Sequence, residues 1–409
     1  MTAATRPFRV LFVSEAVTLA HISRPLALAQ ALDRGRYAIS FACGDAWSNF
    51  IEAAGFERRR IPTMSPEEFA SRLAKGHRVF TRSRLTQYVE AELELFRNTS
   101  PDLVVGDFRV SLRISAAIAK VPYVALANAY WSPFSTLPFP MPEHPSVRIF
   151  GPRIARAFLP AVLPFVFHFH TRDFNRLCRQ HGLPGVRTLG EMYTSGDRTL
   201  YLDIPTLAPT ANLPPTHQYI GPLVWEVPAP LPPWWDDVAK EPALVYVALG
   251  SSGDRRLWDP VMEAVAALPV RAVVATAGRP VERLPSNVFA ADYLPGLKIA
   301  SIAKMVVSNG GSPTAYQALS RGAPILGMPS NADQYLMMES VARERAGVLI
   351  RAGQATPATV SAAIQDLLRD DRYRQSAARL KAQISKFNAE RTFAAIPPAC
   401  TATCSPASG

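Results

Sequence analysis

The residues best placed to do chemistry stand where apolar runs end. His21 follows the run from Arg9 to Ser14, and Asp107 sits just past Leu103 to Val105. Both runs read as buried strands. In an open parallel sheet, ligands bind outside the carboxyl ends of the strands, so a loop histidine and a distant aspartate can meet on one rim. An imidazole oriented by a carboxylate is equipped to act as a general base. The alternative for His21 alone is an ordinary solvated or packing histidine.

A second chemistry is written into residues 305–334. Met305 to Ser308 read as a short buried strand, which Asn309, Gly310 and Gly311 break. Ser312 is suited to cap a helix whose first position takes Pro313. That helix should run to about Arg321 and end at Gly322, before a strand from Ala323 to Met328. Free N–H groups and the positive end of the helix dipole then point the same way, an arrangement that suits a diphosphate. Gly250-Ser251-Ser252-Gly253 repeats the strand-to-glycine junction after the run Ala243 to Leu249. Alone it is a turn, but facing 309–314 it could hold the same anion.

The elements needed to position these residues follow a βαβ rhythm. A helix capped by Ser23, with Pro25 in its first turn, follows the first strand. Tyr37 to Cys43 and Tyr123 to Leu126 read as strands, and Ala46 to Ala54, 65–75, 82–97 and Val110 to Ala119 as helices. The rhythm resumes after residue 240, with helices at 257–267, 333–346, 357–369 and about 372–396. This argues an α/β chain of two doubly wound parallel sheets. The expected division is 1–223, a Pro/Trp-rich linker 224–240, 241–371, a terminal helix 372–397 and a disordered tail 398–409.

Composition narrows the classes. Hydrophobic residues make up 48% and charged residues 19%, as in a globular enzyme. The net charge of +11 comes largely from dispersed arginines, with no nucleic-acid motif. No apolar run reaches the ~18 residues of a membrane span, and no signal peptide is visible. The four cysteines (Cys43, Cys178, Cys400, Cys404) lack metal-ligand spacing. These features favour a cytoplasmic protein. Residues 128–222 are rich in apolar and aromatic side chains. Asn128, Tyr130 and Trp131 could line a pocket, and the apolar stretch Arg153 to Phe169 reads as a helix. His168 within it and His170 just beyond it read as packing or surface residues. The stretch could also touch a membrane surface.

Residues 309–334 resemble the donor-binding motif of the inverting, nucleotide-sugar-dependent glycosyltransferases of the UDP-glycosyltransferase superfamily. Gly310, Gly311, Thr314, Ala318, Gly322, Pro324, Pro329, Asp333 and Gln334 fit its pattern. Asn309 stands where that family has His, and Gln317 where it has Glu. Ala-His-Ile-Ser-Arg-Pro-Leu-Ala-Leu-Ala, starting at Ala20, is similar to the segment carrying the family's base, and Pro-Asp-Leu-Val-Val-Gly-Asp, ending at Asp107, to the strand carrying its partner carboxylate. Ala291-Asp292-Tyr293-Leu294-Pro295-Gly296 resembles the segment that clasps the nucleotide base. The resemblance implies the GT-B architecture, two Rossmann-like domains facing a cleft, with the last helix crossing back onto the first domain.

It also implies roles. His21 is the base and Asp107 its partner. Ser251, Ser252, Asn309, Gly310, Gly311, Ser312, Thr314 and Gln317 bind the donor's nucleoside diphosphate, with Tyr293 and Leu294 at the base and Asp333 and Gln334 at the sugar. The implied reaction moves a hexosyl group from a UDP- or TDP-sugar to a hydroxyl of a small hydrophobic acceptor with inversion, without metal or resident cofactor. The competing classes are an epimerase or hydrolase on nucleotide sugars and a binding protein without turnover.

Overall fold

A computed structural model describes residues 6–396 apart from 144, 242, 251, 252, 280 and 282, and without the side chains of 145–150, 152 and 153. The tail 398–409 lies outside the described residues. Seven parallel strands build the first sheet: β1 (Phe8–Ser14), β2 (Tyr37–Cys43), β3 (Glu57–Arg60), β4 (Leu103–Asp107), β5 (Tyr123–Ala127), β6 (Arg198–Tyr201) and β7 (His217–Tyr219). Their order is β3-β2-β1-β4-β5-β6-β7. Six more build the second: β8 (Leu244–Ala248), β9 (Arg271–Ala275), β10 (Val288–Ala291), β11 (Met305–Ser308), β12 (Ile325–Gly327) and β13 (Gly347–Leu349), in the order β10-β9-β8-β11-β12-β13.

The central strands are the continuous apolar runs of the sequence, because helices cover both faces of a parallel sheet. β4, β5 and β8 are buried at every position. Strand order reverses between β1 and β4 in one sheet and between β8 and β11 in the other. A crevice opens at each such point, and these crevices receive His21 with Asp107 and Gly250 with Asn309. The GT-B arrangement expected from the resemblance is the one observed.

The chain end departs from the single helix expected over 372–396. It forms two, Asp371–Ile384 and Ala389–Ala394, and Asn388 caps the second by accepting from Arg391 N at 2.8 Å. The crossing back does occur. Ala389, Phe393 and Ile396 join the core of the first sheet, where Phe393 meets Phe12 at 5.9 Å. One core cluster spans both halves, combining Tyr201, Ile204 and Leu207 with Tyr316, Leu319 and Leu380.

The stretch read as a helix over Arg153 to Phe169 belongs to a longer one, Pro145–Gln180, interrupted by non-helical Gly151. Its last turns are anchored by buried Phe174, Leu177 and Cys178. By length and composition the part from Ile154 to Gln180 contains a stretch long and apolar enough to cross a membrane. The sequence reading, which looked for uninterrupted apolar runs, found no such stretch.

Candidate active site

The helix Ala20–Gln30 begins just before His21, which therefore sits in its first turn and not in a loop. Leu19 takes the cap position expected of Ser23, whose hydroxyl instead bonds Ala20 O at 3.3 Å. Asp107 is the last residue of β4, in register with Ser14 at the end of β1. This pairing brings His21 Nδ1 to 2.7 Å from Asp107 Oδ1. The carboxylate is fully buried and the imidazole is 15% exposed. An Nδ1–H donated to Asp107 leaves Nε2 as the lone-pair nitrogen. Phe108 stacks on the imidazole at 4.8 Å and 11°.

The sequence reading missed Arg24. Its Nε donates to Asp107 Oδ2 at 2.9 Å, one Nη to Oδ1 at 2.5 Å and the other to Asn128 Oδ1 at 2.8 Å. Burial alone would raise the Asp107 carboxyl, but Arg24 and His21 outweigh it and hold it below the usual carboxylate range. Spacing offered the available signal, since Arg24 lies one helical turn from His21 on the same face.

Behind this pair stands a second carboxylate the sequence reading did not name. Asp203 accepts from Asn128 Nδ2 at 3.2 Å, from Ala129 N at 2.6 Å and from the Tyr316 hydroxyl at 3.0 Å. Burial pushes its carboxyl up to about 6. Asn128, read as a pocket residue, is thus buried between Arg24 and Asp203, its amide bonded to both.

The helix Ser312–Arg321 ends at left-handed Gly322, as its sequence suggests. Its start differs from expectation. Gly311 is the N-cap residue and Ser312 is already helical, with no side-chain cap. Gly310 N donates to Ser308 Oγ at 3.0 Å and Gly311 N to Asn309 Oδ1 at 3.1 Å. The two glycine amides are therefore engaged by the loop's own side chains. Helix geometry leaves the N–H groups of Ser312 and Thr314 without intrahelical acceptors. Gly250, at φ +69, packs beside the Asn309 amide. Ser251 and Ser252 lie outside the described residues. Next to them, Arg279 donates to Gly253 O at 3.2 Å, a cation that the sequence reading also missed.

Gln317 donates from Nε2 to the linker carbonyl of Trp225 at 2.6 Å. Tyr293 is 36% exposed and meets Phe50 of the first domain edge-on at 6.0 Å, while Leu294 is buried. Asp333 Oδ1 accepts from Trp131 Nε1 at 2.8 Å and from the Tyr130 hydroxyl at 3.1 Å, across the cleft. Gln334 is buried. Its Oε1 accepts from Ser330 N at 2.9 Å, and its Nε2 has no partner among the described residues. Arg24, Asn128, Ser312, Pro313 and Tyr316 line one small space of about 10 Å³, which places the helix N-terminus beside the His21 rim. Among the described residues, no three His, Cys, Asp or Glu side chains gather as a metal site.

An aromatic wall leads away from His21. Phe108 meets Tyr193 at 5.3 Å, Tyr193 meets Trp131 at 5.3 Å, Trp131 meets Phe139 at 5.9 Å and Phe139 meets Phe167 at 5.6 Å.

Comparison with known proteins agrees with this fold. The family described as Erythromycin biosynthesis protein CIII-like, C-terminal domain, matches residues 259–390. A PGL/p-HBAD biosynthesis rhamnosyltransferase of Mycobacterium bovis (strain BCG / Pasteur 1173P2) is 43% identical over 379 residues, 92% of this chain and 84% of the relative. A PGL/p-HBAD biosynthesis glycosyltransferase of Mycobacterium tuberculosis (strain ATCC 25177 / H37Ra) is 42% identical over 374 residues, 91% of this chain and 87% of the relative. The solved structure of spinosyn rhamnosyltransferase SpnG complexed with thymidine diphosphate shares the fold, with TM-score 0.68 at 20% identity over 95% of this chain and 100% of that one. The chain belongs to the GT-B glycosyltransferases of the UDP-glycosyltransferase superfamily. Within it, the chain is a glycosyltransferase similar to those of PGL/p-HBAD biosynthesis over nine-tenths of its length.

Proposed function

We propose that the protein transfers a hexosyl group from a UDP- or TDP-sugar to a hydroxyl of a small hydrophobic acceptor, with inversion. The observation that carries this reading is the 2.7 Å contact between His21 Nδ1 and buried Asp107, on the rim that also receives the N-terminus of Ser312–Arg321. His21 Nε2 takes the acceptor's hydroxyl proton while that oxygen attacks the anomeric carbon. The bond to the diphosphate breaks on the opposite face, and its electron pair leaves with the phosphate. The N–H groups of Ser312 and Thr314 and the helix dipole meet the growing charge. Asp107 holds the imidazole's orientation and stabilises its cation, and no step draws on a metal ion.

Asp333 binds a sugar hydroxyl by exchanging its bonds to Trp131 and Tyr130. Tyr293 takes the face of the base, and the aromatic wall from Phe108 to Phe139 suits a hydrophobic acceptor. Two relatives guide the choice of donor. One is named a rhamnosyltransferase and the other was solved with thymidine diphosphate, so TDP-rhamnose is the first donor to assay.

The test pairs titration with turnover. Calorimetry with UDP, TDP, GDP and ADP, without and then with magnesium, should show metal-free preference for UDP or TDP. His21→Ala should lower transfer by at least ~10² and leave nucleotide binding intact. Full transfer by that variant refutes the role of His21, and donor hydrolysis without transfer refutes the reaction.

A further inference from the structure

We infer that the exposed face of the Ile154–Gln180 helix seats the protein on a membrane surface bearing anionic lipid. Ile154, Phe158, Val162, Phe165 and Phe169 recur at helical spacing on one side and are 46–77% exposed. Scattered exposed apolar residues are normal, but a contiguous stripe marks an interaction surface. Phe165, at 77%, has nearly its whole ring in solvent.

Charge complementarity selects the occupant. At the same spacing the stripe continues into the exposed Arg172, Arg176 and Arg179. Arg78 lies over the Phe169 ring at 5.2 Å and pairs with Asp173 at 2.6 Å, and Arg82 N bonds the same carboxylate at 3.2 Å. This brings the exposed Lys75, His77 and Arg82 to the same end of the stripe. Asp173 on the helix and Glu339 beside it are held in ion pairs, Asp173 with Arg78 at 2.6 Å and Arg176 at 3.9 Å, Glu339 with Arg156 at 3.8 Å. An apolar band ending in cations is the pattern of a helix lying in the interface plane of an anionic membrane.

The helix lies on the bilayer and does not cross it. Thr171, Phe174, Leu177 and Cys178 are buried in the first domain. The free part, Ile154 to His170, spans about 25 Å at ~1.5 Å per residue, short of the ~30 Å hydrocarbon core. The seating also bears on the active site. Phe167, on the inner side of the helix, starts the aromatic wall that ends at His21. On the reading proposed above, an acceptor leaving the lipid meets that wall directly.

The test is co-sedimentation of the full chain with vesicles of phosphatidylcholine, alone or mixed with phosphatidylglycerol. The wild type should bind the mixed vesicles and lose binding as salt rises. Phe158→Ser combined with Phe165→Ser should weaken binding at least about tenfold. Arg172→Gln combined with Arg176→Gln should reduce the preference for the anionic vesicles. These side chains are exposed, so nucleotide binding serves as the folding control. His21→Ala should bind vesicles like the wild type, which separates failure of the docking from failure of the chemistry. The inference is overturned if the wild type binds neither vesicle or if the Phe double variant binds undiminished. It is also overturned if the wild type is a dimer that these substitutions dissociate and that binds no vesicles, which would assign the face to a second copy.

Discussion

Asp107 accepts hydrogen bonds from His21 and from Arg24 at once, so the carboxylate that orients the imidazole is itself held by a buried guanidinium. Asp107 was legible at the end of an apolar run and His21 in the segment after the first strand, and the family resemblance supplied their roles. Arg24 was not, since its role depends on a carboxylate 83 residues away and on burial that no local pattern displays. Gln317 shows the reverse. Its departure from the family's Glu was plain, but the reason lies in the fold. The Gln317 amide donates to the linker carbonyl of Trp225 at 2.6 Å, where a carboxylate would set negative charge against a carbonyl oxygen. Gln317→Glu should therefore destabilise the protein by about 1–3 kcal/mol through the lost donor and the new repulsion, seen as a fall in the thermal midpoint. An unchanged midpoint would show that the Trp225 contact contributes nothing.

At the scale of elements, the strand–glycine–helix unit at 305–321 was legible from its apolar run and its breakers, while the cap was not. Ser312 has a good cap side chain, yet Ser308 and Asn309 already bind the loop amides, so the helix begins at Ser312 itself. The edge strands β3 (Glu-Arg-Arg-Arg) and β7 (His-Gln-Tyr) escaped sequence reading because an edge leaves side chains in solvent and needs no apolar run. Within the anion loop, Gly310 is the position that tolerates least. Its φ is +83, and a Cβ there would stand 2.5 Å from Met338 Cγ. Gly311, at φ −66 and ψ 142, would bring a Cβ only to 3.3 Å from Asn309 Oδ1. Gly310→Ala should cost about 1–3 kcal/mol in strain and weaken TDP binding by displacing the helix N-terminus. Gly311→Ala should do markedly less of both. Equal effects in calorimetry and thermal unfolding would remove the argument from backbone conformation.

For the whole molecule, the two sheets were legible from the repeated βαβ rhythm, and the returning chain end from the family resemblance. One buried contact between the halves was not, because Asp203 and Tyr316 lie 113 residues apart and neither belongs to a motif. The Tyr316 hydroxyl donates to Asp203 and accepts from Ile204 N at 3.2 Å, so it ties the Ser312–Arg321 helix to the loop after β6. The groups around Asp203 are Arg24, Asn128, the Ala129 amide and Tyr316. Burial dominates them and lifts its carboxyl to about 6. The folded chain therefore holds a proton that the unfolded chain releases near pH ~4, and this group's contribution worsens as pH rises from about 4 to 6, then levels off. Asp107, held low, contributes oppositely, with stability lost only as pH falls below about 4. Tyr316→Phe removes a donor to the ionised Asp203, so its cost should be about 1–3 kcal/mol near pH ~7.5. Near pH ~5 the cost should shrink, because a protonated Asp203 has less need of the donor. Denaturant unfolding of both proteins at the two pH values reads the difference. A cost independent of pH would mean that Asp203 is not the group to which Tyr316 answers.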